Sequence, residues 1–166
     1  MNNDYNNAPV FLASQILTNS AGGDLMTVLS TAASRVQILS VSAQAFSTST
    51  SLVPLGMTAE VFRSSTSVGA GGATITPINA GGHSGAKAAV SAVLGPPSAG
   101  NSTAASERLF AGGFEADNGR LLWEPDFPVT MAVSDVLFVR AGTPVGSTGV
   151  TIAMTLTFRE IGKMPI

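Results

Sequence analysis

Apolar and polar residues alternate along several short stretches of this chain. The cleanest is Val150 to Phe158, where Val150, Ile152, Met154, Leu156 and Phe158 fall on one face and Thr151, Ala153, Thr155 and Thr157 on the other. A period of two is what a strand shows when one side meets a core. The length and strictness of this run predict a central strand whose second face meets Thr-rich surface or another subunit. Met57 to Asn79 predicts two strands joined by a loop, and the rest of the chain repeats its style. Met57, Ala59, Val61 and Arg63 alternate with Thr58, Glu60, Phe62 and Ser64, and Thr74-Ile75-Thr76 forms a shorter second arm. Between them Gly69, Gly71 and Gly72 accept the positive φ that lets a chain reverse.

Further strands are predicted at Val10 to Leu17, at Leu25 to Leu29 beyond Gly22-Gly23, and at Val36 to Ala43, with Val36, Ile38 or Leu39, Val41 and Ala43 as core candidates. Others follow at Arg108 to Phe110, Leu121 to Trp123 after the Asp117-Asn118-Gly119 turn, Val129 to Val133 and Val136 to Val139. Ser47 to Ser51 and Gly95 to Gly100 read as turns. Ser84 to Leu94 stays open between a helix, with Ala86, Val90 and Val93 or Leu94 at helical spacing, and a strand at Ala89 to Val93, which its surroundings favour. About ten strands at spacings of roughly 8 to 15 residues, with no long amphipathic helix and no fixed repeat, predict an all-β fold. The expected form is an antiparallel β-sandwich of the jelly-roll kind. Residues 10–166 form its single domain, and the Asn-rich stretch 1–9 an extended N-terminal arm.

Composition narrows the function classes. Charged residues are only 11% of the 166 while apolar residues are 45%, so Ser, Thr, Gly and Asn carry the surface. That chemistry suits strands and turns, and it suits a subunit largely covered by neighbours. Net charge is −2, and the basic residues Arg35, Arg63, Lys87, Arg108, Arg120, Arg140, Arg159 and Lys163 are scattered, leaving no basic run to neutralise phosphates. The absence of Cys removes thiolate catalysis, disulfides and cysteine-ligated metal. No apolar run reaches the ~18 residues of a membrane span, and Met-Asn-Asn-Asp-Tyr-Asn-Asn lacks signal-peptide order, so the expectation is synthesis in the cytoplasm.

Candidate chemistry is sparse. His83, the single histidine, stands in a Gly-rich loop with no nucleophile or second ligand assigned to it. Ser84-Gly85-Ala86-Lys87 matches Ser-x-x-Lys, but the companion Ser-Asp-Asn and Lys-Thr-Gly elements do not occur. Neither Gly69 to Gly72 nor Gly95 to Gly100 has the pattern of a phosphate loop. Glu115, Asp117, Glu124 and Asp126 read as a hairpin and solvated rim rather than a calcium loop or a glycosidase pair. Asn101-Ser102-Thr103 is a sequon that matters only on secretion. Trp123, near Phe127, reads as a plug at the end of the sandwich more than as a sugar platform. No enzyme activity, metal or cofactor is expected.

Arg63 to Pro77, the opening Asn6-Asn7-Ala8-Pro9-Val10-Phe11-Leu12-Ala13 and the closing alternating strand resemble, in texture rather than by any motif, small virion proteins of tailed bacteriophages. The nearest type is the capsid decoration, or cement, protein. That resemblance implies a non-enzymatic structural subunit, a trimer seated between capsomers on the major capsid protein, located in the virion. The arm residues Asn2, Asp4, Tyr5 and Pro9 are the candidate partner contacts, because an arm without its own core can add to a neighbour's sheet edge. A tail, neck or head-fibre component is the alternative, and a carbohydrate-binding jelly roll a further one, which would want more exposed aromatics than one Trp and one Tyr provide.

Overall fold

In the computed structural model the described residues are 8–19, 23–29, 35–47, 56–64, 75–80, 92–94, 107–115, 119–132, 135–141 and 150–161. They hold eleven strands and no helix: β1 Val10–Asn19, β2 Gly23–Leu29, β3 Arg35–Ser47, β4 Gly56–Ser64, β5 Ile78–Asn79, β6 Ala92–Leu94, β7 Glu107–Glu115, β8 Arg120–Trp123, β9 Val129–Met131, β10 Val136–Ala141 and β11 Val150–Ile161. They form two antiparallel sheets. The first runs β5-β1-β11-β3-β8, with β9 also paired to β3, and the second runs β6-β2-β10-β4-β7. One buried cluster draws on both, with Phe11, Ile38, Val41, Met154, Leu156 and Phe158 from the first sheet and Ala59, Val61, Leu137 and Val139 from the second. Each large apolar side chain so buried contributes about 1.5 to 3 kcal/mol, so this shared core is the main source of stability.

β11 lies between β1 and β3, as its alternation predicts. Ile152, Met154, Leu156 and Phe158 are buried, while the intervening threonines are half-buried on the other face. Phe158 stands opposite Phe11 on β1, and the two rings stack with centroids 5.6 Å apart.

β3 settles the choice between Ile38 and Leu39. Strict alternation would place Ile38 and Val41 on opposite faces, yet both are buried. Thr157 of β11 pairs with Ser40 and Phe158 with Ile38, so Leu39 has no opposite residue. This bulge resets the phase and lets Val36 and Ile38 join Val41, Ala43 and Ala45 in the core. A second bulge leaves Leu109 unmatched between β7 and β4, and a third leaves Leu25 unmatched between β2 and β10.

The two-armed reading of Met57 to Asn79 is corrected. The first arm is β4, with Ala59 and Val61 inward, but Ile75 and Thr76 are not strand, and the following strand is β5, in the other sheet. β4 pairs instead with β10 and β7, whose apolar residues complete the core around Ala59 and Val61. Of the open stretch 84–94, residues 92–94 are strand β6, paired with β2. Residues 84–91 lie outside the described residues, as do the Gly69 to Gly72 loop, residues 48–51 of the Ser/Thr turn and the Gly95 to Gly100 turn.

Candidate functional surfaces

Asn2, Asp4, Tyr5, His83, Ser84, Lys87, Asn101 and Asp117 lie outside the described residues. Pro9 is half-buried at the end of the first sheet, where its carbonyl accepts a hydrogen bond from the Glu160 N–H at 3.3 Å; the next carbonyl, that of Val10, accepts from the Ala80 N–H at 2.8 Å. The chain is thus bonded to β11 and to the segment after β5 from Pro9 onward. Glu115 ends β7 and is exposed, and Glu124 and Asp126 are exposed beyond β8. Among the described residues no three His, Asp or Glu side chains are grouped to hold a metal ion.

The aromatic pair expected around Trp123 divides. Trp123 stacks on Phe110 of β7 with centroids 5.6 Å apart and planes at 22°, and both pack against the core. The stack joins the edge strand of one sheet to the edge strand of the other. Gly112 makes room for it: a Cβ there would lie 2.7 Å from Phe110 Cζ and 2.8 Å from Leu121 Cδ1. Phe127 instead projects into solvent, 84% exposed, in the bend Pro125-Asp126-Phe127-Pro128. Only Pro128 separates it from β9, which must turn back onto β3 beside Val36 and Ile38.

The outer faces of the two sheets differ in chemistry. On the second sheet the Leu109 bulge turns Arg108 outward, where its guanidinium donates to Glu60 at 2.9 Å, and Arg63 pairs with Glu107 across the end of the same two strands. Exposed cross-strand pairs of this kind contribute at most about 1 kcal/mol each. β10 is buried on both sides: Leu137 and Val139 join the core, while Val136 and Phe138 are covered on the opposite face.

The outer face of the first sheet is uncharged across its middle. Ser14, Thr155 and Ser42 form one row with Leu122, and Ile16, Ala153 and Gln44 the next with Arg120. The Ser14 and Thr155 hydroxyls share a hydrogen bond of 3.0 Å. Around this hydroxyl centre stand Ile16 (74% exposed), Ile78 (68%), Leu122 (50%) and Phe46 (38%). These four exposed side chains therefore face the same way. Sequence reading treated this side only as Thr-rich along β11; the apolar margin arises from four other strands that the sheet order assembles.

Such a surface offers hydroxyl and amide hydrogen bonds framed by apolar contacts, with no acid–base pair or nucleophile among its described residues. Comparison with protein-family models, with curated proteins and with solved structures returned no match.

Proposed function

We propose that this chain is a non-enzymatic structural subunit of a tailed-bacteriophage virion, a decoration or cement protein that stabilises the head by binding between capsomers. The observation that carries the reading is the strand order. Leaving out the short strands β5, β6 and β9, the eight remaining strands fall into sheets β1-β11-β3-β8 and β2-β10-β4-β7. Eight strands in two four-stranded antiparallel sheets support reading the fold as a jelly-roll sandwich, an architecture of viral capsid and lectin domains. Fold alone does not assign function; the second support is a composition poor in charge and a sheet face that exposes Ile16, Phe46, Ile78 and Leu122 together. On this reading the protein is a homo-oligomer, a trimer, bound to the major capsid protein. Its polar arm, with Asn2, Asp4, Tyr5 and Pro9, reaches the neighbouring subunit or shell.

The test is binding of the purified protein to heads of its own phage that lack it, read as occupancy by electron cryomicroscopy. Occupied sites between capsomers are expected, with lower occupancy after deletion of residues 2–8. Unchanged occupancy after that deletion rejects the arm. Absence of the protein from heads, with immunolabel on the tail, neck or fibres, replaces the cement role by the alternative virion location.

A further inference from the structure

We infer that the outer face of the first sheet is a contact face between copies of this chain, and that the segment docked on it is the acidic bend around Phe127 of the next copy, head to tail. The inference deepens the oligomer reading above and rests on it.

Charge selects the occupant. Among the described residues that face carries Arg35, Arg120 and Arg159 and no carboxylate, since Glu160, the one acidic residue in its strands, is on the buried side. An identical face would bring like charges against these arginines. The bend after β8 brings the opposite: Glu124 and Asp126 are exposed on either side of Pro125, next to Phe127. Pro125 and Pro128 fix their own φ angles on both sides of the ring, so less freedom is lost when it docks. An exposed aromatic flanked by carboxylates fits a surface whose apolar margin, Ile16, Ile78, Leu122 and Phe46, surrounds hydroxyls and whose charges are guanidinium groups.

Area is adequate. Over the span from Thr151 to Arg159, the long strands β1, β11 and β3 with the shorter β5 and β8 beside them, at about 4.8 Å spacing and about 3.3 Å per residue, give a face of roughly 500 Å². Covering all of it buries about 1,000 Å² over both partners, the lower end for a specific interface, so the surface flanking the bend must join Phe127 in the contact. Because bend and face are different patches of one subunit, the contact is heterologous. It closes into a ring when the rotation allows, and a trimer is such a ring.

The experiment is sedimentation equilibrium of the full-length protein at about 100 µM, a concentration that populates contacts of micromolar Kd. It compares wild type, Phe127→Ser, Ile16→Glu and an equimolar mixture of the two variants. Both residues are solvent-facing, and far-UV circular dichroism and melting temperature confirm folding. The wild type is expected to be a trimer. Each variant alone should associate at least ~30-fold more weakly. The mixture should recover a dimer, since one variant keeps its face and the other its bend. Variants that retain the wild-type trimer overturn this contact and leave the oligomer reading standing. A mixture that stays monomeric overturns the head-to-tail arrangement. A monomeric wild type overturns both the contact and the trimer, whereas binding to heads is tested separately.

Discussion

Single-residue deletions within β3 should have opposite outcomes according to where they fall relative to the Leu39 bulge. Removing Leu39 leaves Val36, Gln37, Ile38, Ser40, Val41, Ser42 and Ala43 in unbroken alternation, so every buried residue keeps its face, and the ladder to β11 becomes regular because Leu39 had no opposite residue. The cost is the contacts of a half-buried leucine and a shift of about 3.3 Å between the β8 and β9 pairings, which residues 124–128 must absorb, together about 1 kcal/mol. Removing Ser42 instead closes the bulge only by exchanging faces. Ser40 turns inward and Val41, now 2% exposed, turns outward. Losing the valine's burial costs about 1.5 to 3 kcal/mol, and enclosing an unpaired hydroxyl costs about 1 to 3 kcal/mol more. The expected loss is therefore about 3 to 5 kcal/mol, a large part of the roughly 5 to 15 kcal/mol that stabilises a domain. Urea unfolding followed by tryptophan fluorescence reads this directly, Trp123 being the single tryptophan. With a slope of about 2 kcal/mol per M, the Ser42 deletion should lower the midpoint by about 1.5 to 2.5 M and the Leu39 deletion by about 0.5 M. Equal losses for the two deletions, or a larger loss for Leu39, would refute the phase-resetting role of the bulge.

Phe158→Ala removes a fully buried ring stacked on Phe11 and should cost about 3 to 5 kcal/mol, seen by calorimetry as a fall in Tm of roughly 6 to 20 °C. Gly119→Ala should be worse tolerated than Gly112→Ala in the same assay. At Gly119 a Cβ would lie 2.0 Å from the Glu115 carbonyl oxygen, so backbone must move, whereas at Gly112 the obstacles are the Phe110 and Leu121 side chains. A double-mutant cycle on Arg63 and Glu107, whose side chains are 35% and 61% exposed, should give a coupling below about 1 kcal/mol that shrinks further as salt is raised from 0.05 to about 0.5 M. A larger, salt-independent coupling would show that the pair is desolvated.

The alternation along β11 and β4 by itself determined that these are strands and how their side chains divide between two faces, because the two faces of a strand are set by local geometry alone. The same holds for the all-β, antiparallel character of the described chain. Pairing is another matter: a run of period two fits any neighbour in the right orientation. Only the tertiary structure decided that β4 lies between β10 and β7 rather than beside the segment at Ile75, and that Leu39, Leu109 and Leu25 fall at bulges. It likewise divided the two aromatics that stand together in the sequence. Trp123 found Phe110 across the gap between the sheets, while Phe127, in a bend bracketed by prolines, stayed in water. The surface on which the functional proposals rest was not legible for the same reason. Ile16, Phe46, Ile78 and Leu122 come from four strands far apart in the chain, and they share a face only because the ladder registers carry one strand's phase to the next.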